Sequence, residues 1–492
     1  MWLGGLGVVA LAWAAMGLWQ SVKPLPEGIG RAWPVRGVEE VRFLADRTWY
    51  DAAGRRHQEQ AIFDEALAMI SQARRLVVVD MFLFNDFAGE AAGEGFRPLS
   101  GELSQALLAQ KRRYPELEAV VITDPLNTLY GGLALEHLEA LRAAGIRVVE
   151  TDLTRLRASN PLWSGGWHLG PRWFGNSSEA GWLPNAMGPG RVTLRSYLSL
   201  LNFNANHRKT LVVDSGDDWL GLVTSANPHD ASSRHGNVAL RFRGAAALDL
   251  LESERVVAAW SGVALPEPAP RAEPEPASEL ALQVLTTEPE AIAAPEERLA
   301  LQVLTEGAIR DALLATITAA EAGDRLDLAV FYLAHRGVIE ALAAAQARGV
   351  TVRVLLDPNR DAFGFAKNGI PNRPVAEELA AAGVAVRWCL TRGEQCHSKL
   401  LLHRPAVGEA TLILGSANFT RRNLDNLNLE TSVRLVGAPQ APALAEAAAF
   451  FEARWQNGPQ GQTSQALNGE ERVSPWMRWR YRVMEATGLS TF

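Results

Sequence analysis

The chain has 492 residues, of which 48% are hydrophobic, enough to bury one large core or two. Its 48 basic and 55 acidic residues leave a formal charge of −7, which argues against an extensive basic surface for nucleic acid. Two cysteines, Cys389 and Cys396, supply neither a disulfide framework nor a zinc spacing, and Cys396 reads as a small, half-buried residue at a strand start.

Met1 to Trp19 carries no charged or polar side chain and is long enough to cross a bilayer core, with Trp2 and Trp19 at the interfaces. Residues 1–22 read as an N-terminal membrane anchor. A cleaved signal is the rival, since Ala12-Trp13-Ala14 resembles a cleavage site, but no Lys or Arg precedes the apolar run. Lys23, Arg31 and Arg36 follow it and favour a cytoplasmic main body; the side of the membrane stays open. Residues 23–37 are rich in Pro and Gly and read as a tether.

A first α/β unit is expected over 38–265. Its strands are Val41 to Leu44, Leu76 to Phe84, Ala119 to Thr123 and Ile146 to Glu150; its helices are Gln58 to Arg74, Leu103 to Lys111 and Leu133 to Ala144. An insertion at 152–206 carries Trp163, Trp167, Trp173 and Trp182. It reads either as a lipid-facing or pocket-lining segment or as an aromatic satellite core. Residues 266–297 are a Pro/Glu-rich linker. The second unit, 298–460, replays the first with helices at 308–322, 338–347 and 375–382 and strands at 326–333, 350–356 and 384–389. The hexapeptide Ala-Leu-Gln-Val-Leu-Thr occurs at 281–286 and again at 300–305. The tail, 461–492, interleaves Trp476, Trp479 and Tyr481 with Arg472, Arg478, Arg480 and Arg482, suited to an anionic membrane surface or to packing over a domain edge. The order predicts two similar α/β/α halves, each a mixed, mainly parallel sheet flanked by helices, with an active site at their interface.

One stretch organises this plan. His207 and Lys209 open a short apolar strand and share one of its faces, while Asp214 takes the other. The pair returns as His397 and Lys399. Of the five lysines, two stand two residues after a histidine; independent placement predicts about 0.1 such pairs. Thr224-Ser225-Ala226-Asn227 follows the first pair and Gly415-Ser416-Ala417-Asn418 the second, each after another apolar run. Counting on from the serines, Asn237 matches Asn428, and Ala239 stands where the second copy has Glu430. Imidazole beside ammonium suits a phosphoryl substrate, since histidine exchanges protons near neutrality and lysine is a compact cation.

These residues resemble the phospholipase D superfamily, whose members pair two His-x-Lys-x4-Asp motifs, each followed by a Gly/Ser-x-x-Asn segment. His207, Lys209 and Asp214 match in full. His397 and Lys399 match, with Arg404 in place of the aspartate. The resemblance spans residues 40–460 and implies a phospholipase D-like or cardiolipin synthase-like phosphodiesterase or phosphatidyltransferase. By the family pattern His207 attacks phosphorus to give a phosphohistidine, and His397 serves as general acid and then base. Lys209, Lys399, Asn227 and Asn418 bind the phosphoryl oxygens, and Glu430 orients the histidine of the opposite half. Asp214, Ser225 and Ser416 lie behind that layer. Ala239 is expected to leave His397 less well oriented.

No metal or cofactor is expected, because the two lysines supply the charge. The implied partners are phospholipid, membrane, and water or an alcohol as acceptor. Nucleic acid is not expected. Two motifs in one chain imply a monomer, anchored by one segment in a bacterial inner membrane. A nuclease of the same superfamily and a non-catalytic lipid-binding relic are the alternatives.

Overall fold

The computed structural model describes residues 2–51, 53–87, 95–267, 299–362, 365–366, 368–458, 461–467, 473–490 and 492. Most of the 266–297 linker, the first hexapeptide copy and Arg472 lie outside them. The second hexapeptide copy falls in the edge-side strand Leu299–Thr305.

Each half is built on one large sheet. The first has eight strands, in the spatial order Arg56–Glu59, Val41–Tyr50, Asn237–Arg243, Asp218–Thr224, Lys209–Ser215, Leu76–Met81, Glu118–Thr123 and Arg147–Glu150. The second has nine and repeats that order: Leu299–Thr305, Thr431–Gly437, Ala410–Gly415, Lys399–Arg404, Arg325–Val330, Thr351–Leu356 and Ala385–Cys389, with Arg36–Val38 and Ser464–Ala466 at its edges.

The mixed α/β class is as expected; the balance of strand directions is not. Among the strands of the two large sheets in the described residues, only the helix-linked ones from Leu76 to Glu150, and from Arg325 to Cys389, run parallel. The remaining pairings are antiparallel. Each His-x-Lys strand turns back on itself in a hairpin, Lys209–Ser215 on Asp218–Thr224 and Lys399–Arg404 on Ala410–Gly415, and a tight hairpin forces antiparallel pairing.

Two local expectations also shift. The helix expected from Gln58 begins at Ile62, because Arg56–Glu59 pairs with Arg47–Tyr50 and Asp46 Oδ1 accepts the Ile62 N–H at 3.1 Å. In the stretch read as a tether, Arg36–Val38 pairs with Leu299–Leu301, and Ala32 bridges to Leu304.

The sheets face each other across one apolar core. Val212, Leu240 and Phe242 of the first half and Leu400, Leu412 and Leu435 of the second belong to it, together with the helices Ala245–Trp260 and Pro442–Gln456. Phe43 meets Phe450 edge-on, ring centres 5.7 Å apart. Separate apolar clusters seat the outer helices on the far side of each sheet. Burial on both faces explains why central strands such as Leu76–Met81 read as continuous apolar runs.

The cysteines depart from expectation outright: Cys389 and Cys396 are joined in a disulfide, with Cα atoms 6.3 Å apart. Strand Ala385–Cys389 ends at one, and Asp357 Oδ2 holds the backbone N–H of the other at 2.8 Å, so the intervening loop closes on itself.

Candidate active site

Both His-x-Lys motifs sit where the halves are stitched together. The His207 N–H donates to Leu429 O at 2.9 Å and the Leu429 N–H to Ala205 O at 3.0 Å; Gly236 N–H donates to Gln395 O at 2.8 Å beside His397. Each histidine therefore begins its strand beside backbone from the opposite half.

The side-chain partners cross over too. His207 Nδ1 lies 2.9 Å from Oε1 and 3.1 Å from Oε2 of Glu430. His397 Nδ1 lies 3.0 Å from Oδ1 of Asn237. Carboxylate and amide oxygens accept, so Nδ1 carries the proton on both rings and Nε2 is left for chemistry. Glu430 is fully buried and also receives Ser416 Oγ and Asn423 Nδ2. Asn237 Oδ1 likewise receives Ser225 Oγ at 3.0 Å.

Asn237, not Ala239, is thus the counterpart of Glu430. Ser225 N–H meets Val238 O just as Ser416 N–H meets Thr431 O, so the residues before them correspond. Counting twelve on from each serine fails because the serine-to-partner separation is 12 in the first copy and 14 in the second. Ala239 lies in the first half's own core, and Asn428 Oδ1 accepts the Ala205 N–H at 3.0 Å instead.

The lysines are buried beside the rings. Lys209 Nζ donates to His207 O at 2.6 Å and Lys399 Nζ to His397 O at 2.8 Å, leaving two donors on each. Phe82 packs on His207 with ring centres 4.7 Å apart and lies 4.9 Å from Lys209 Nζ; Phe331 does the same for His397 at 5.1 Å and for Lys399 at 5.5 Å. Burial lowers the His207 pKa to about 4, with Glu430 opposing and Lys209 adding to the shift. Burial, then Lys399 and His235, hold His397 well below its ordinary range. Lys209 is brought down to about 7, chiefly by burial, and Lys399 is lowered by burial and by Lys209. A phosphodiester anion placed among these groups supplies the missing counter-charge and raises all four.

Asn227 Oδ1 accepts the Leu83 N–H at 3.3 Å, which leaves its NH2 as a donor, and Asn418 is buried with no partner for Oδ1 among the described residues. Asp214 is elsewhere. It accepts the backbone N–H groups of Arg74, Arg75 and Leu76 and ties the turn before the central strand. At Arg404 the polarity is reversed: its guanidinium pairs with Asp327 and Glu452.

Sequence reasoning missed Phe82, Phe331, His235 and the residue inside the first motif, Arg208. Phe82 and Phe331 each follow a central strand directly, a signal that the repeat alignment carried. Arg208 is fully buried and pairs with Glu306 of the other half at 2.7 Å and with Glu254 at 3.4 Å; Glu306 also accepts the Glu430 N–H at 3.0 Å. That network lies under Glu430 and links the halves where the histidines meet.

Two similar α/β halves meeting over paired His-x-Lys motifs define the phospholipase D-like class of fold. Residues 313–455 match the family model for the cardiolipin synthase phospholipase D-like domain. That match lies within the second half, and the fold of the whole is of the phospholipase D-like class. No protein of curated function matches the sequence. Among solved structures it is similar to phosphatidylserine synthase from Haemophilus influenzae Rd KW20, at 12% identity and a TM-score of 0.56, over 93% of this chain and 96% of that one. Polyphosphate kinase from Porphyromonas gingivalis aligns at 13% identity and a TM-score of 0.43, over 96% and 55%. The phospholipase D family member Nuc from Salmonella typhimurium aligns at 24% and 0.26, over 34% and 97%.

Proposed function

We propose that the protein is a membrane-associated phosphodiesterase or phosphatidyltransferase acting on phospholipids through a covalent phosphohistidine. The observation that carries this reading is the crossed site: His207 held by Glu430, and His397 held by Asn237, each beside a buried lysine. Nε2 of His207 attacks phosphorus, and the positive charge that develops on its ring is matched by Glu430. His397, protonated once the anionic substrate is bound, donates to the leaving alkoxide. It then takes a proton from the incoming water or alcohol as the P–N bond breaks. Lys209, Lys399, Asn227 and Asn418 hold the non-bridging oxygens. The matching family model and the helix Trp2–Val22, long and apolar enough to cross a membrane, support a lipid substrate.

The test incubates the full chain with mixed phospholipid vesicles and a primary alcohol, and follows phosphatidic acid, phosphatidyl-alcohol and cardiolipin by mass spectrometry. Product that disappears in His207→Asn and in His397→Asn is expected, and the product ratio separates hydrolysis from transfer. Absence of product from every lipid, with turnover of single-stranded DNA, would replace the lipid reading with a nuclease; neither activity would leave a non-catalytic relic.

A further inference from the structure

The Trp-rich insertion borders a half-open pocket, lined by more apolar than polar surface, that the reaction centre does not use. It has a volume of about 170 Å³ and lies between Gln20, near the end of the N-terminal helix, and the insertion residues Trp167, His168, Arg195 and Ser199. None of the catalytic side chains lines it.

Its charge is unbalanced. Arg195 lies over the Trp167 ring at 4.0 Å and donates to Phe174 O at 3.0 Å and to Ser199 Oγ. Arg172 donates to His168 Nδ1 at 2.8 Å, which fixes the His168 proton on Nε2 as a further donor. Lys23 reaches the same wall, donating to Gln20 Oε1 at 2.7 Å and Thr154 O at 2.6 Å. Among the described residues none of these three cations forms an ion pair. The one carboxylate lining the cavity, Asp152, faces Arg155 at 3.6 Å and accepts from Thr154. Burial is the main cause that brings Lys23 down to about 8 and His168 to about 4; Arg172 adds to both shifts, Lys23 adds to that of His168, and Asp152 opposes both.

The surroundings are apolar and exposed. Leu162, Leu169, Trp173 and Phe174 project from the insertion, and Leu18, Trp19 and Val22 from the helix that ends one residue before Lys23. Cations at the end of a membrane-length helix, ringed by exposed aromatic and aliphatic side chains, sit at headgroup depth. We propose that this cavity binds the phosphate of an anionic phospholipid, whose acyl chains lie along the exposed side chains of the insertion and the N-terminal helix. The site is separate from the reaction centre. This rests on the membrane association proposed above but not on the catalytic reading.

The experiment uses the full chain in an uncharged detergent, carrying His207→Asn and His397→Asn so that lipid is not consumed. Dioctanoyl phosphatidylglycerol is titrated calorimetrically, with dioctanoyl phosphatidylcholine and inorganic phosphate in parallel. The glycerol lipid is expected to bind with the higher affinity, and Arg172→Gln with Arg195→Gln is expected to weaken it roughly tenfold or more, as loss of charge-assisted hydrogen bonds does. Arg195→Lys, which keeps the charge, should restore much of the affinity. Should Arg195→Gln fail to fold, Lys23→Gln with Arg172→Gln decides the matter by the same loss. Unchanged affinity in the folded variants overturns the site, and inorganic phosphate binding as tightly as the lipid overturns the lipid assignment. Turnover of a water-soluble phosphodiester, measured with both histidines intact, should survive Arg195→Gln. If it is absent from the unmodified chain, the catalytic proposal fails while the binding result stands.

Discussion

His397 takes its Nδ1 acceptor from an amide, and His207 takes its own from a carboxylate. The difference is chemical because an adjacent carboxylate favours the imidazolium, whereas an amide oxygen only fixes the tautomer. In the proposed mechanism His397 must be protonated to donate to the leaving group, yet burial and Lys399 hold its pKa low. Asn237→Asp places a negative charge 3.0 Å from Nδ1 and should raise that pKa. The alkaline limb of kcat/KM, where the acid loses its proton, should then move up by about 1–3 pH units. A pH profile on a water-soluble phosphodiester measures it, and an unmoved limb would show that His397 is not the titrating acid. Lys209, His207, Lys399 and His397 were legible in the sequence because a two-residue spacing on a strand fixes their common face. Asn237 was visible as a residue but not in its role. Pairing across a hairpin sets equivalence, and the second hairpin's longer turn defeats counting.

At the scale of elements, the N-terminal helix is docked rather than trailing. Trp13 Nε1 donates to Leu162 O at 2.6 Å, and the helices Trp2–Val22 and Pro161–Leu169 approach through glycines. A Cβ at Gly17 would stand 2.7 Å from Pro161 O, and one at Gly165 2.5 Å from Trp13 O, both backbone atoms that cannot step aside cheaply. Gly165→Leu or Gly17→Leu should therefore part the helices and cost about 1–3 kcal/mol, the usual penalty for overpacking. Gly7→Leu is the matched control, since nothing lies within 4 Å of a Cβ there. Thermal unfolding in detergent, followed by tryptophan fluorescence, should show loss for the first two and none for the third; equal behaviour of all three would mean that the helices do not pack. Composition announced the helix and the aromatic insertion separately. Their contact was illegible, because a glycine's value lies in the neighbour it admits. The tail resolves similarly by face: Tyr481 is buried and donates to Ala334 O at 3.0 Å, while Trp476 and Trp479 stack on each other in solvent.

At the scale of the whole molecule, two features bear oppositely on which side of a membrane the halves occupy. Lys23, Arg31 and Arg36 follow the apolar helix, and cationic flanks favour the cytoplasm. The Cys389–Cys396 disulfide favours an oxidising compartment, since cytosolic thiols are kept reduced. Lys23 is engaged by Gln20 and Thr154, so its position has a structural reason independent of topology. On the anchoring proposed above, the disulfide predicts that the halves face an oxidising compartment. The loop that it closes ends at the residue before His397. Two measurements in intact bacterial cells check the compartment. Acid-trapped chain should resist alkylation at both cysteines until reductant is added. Val407→Cys, at a position 92% exposed, in a Cys389→Ser/Cys396→Ser background, should react with a maleimide that does not cross the inner membrane. Free thiols at 389 and 396 together with protection of Cys at 407 would return the two halves to the cytoplasm, and the positive flank would then be the stronger signal.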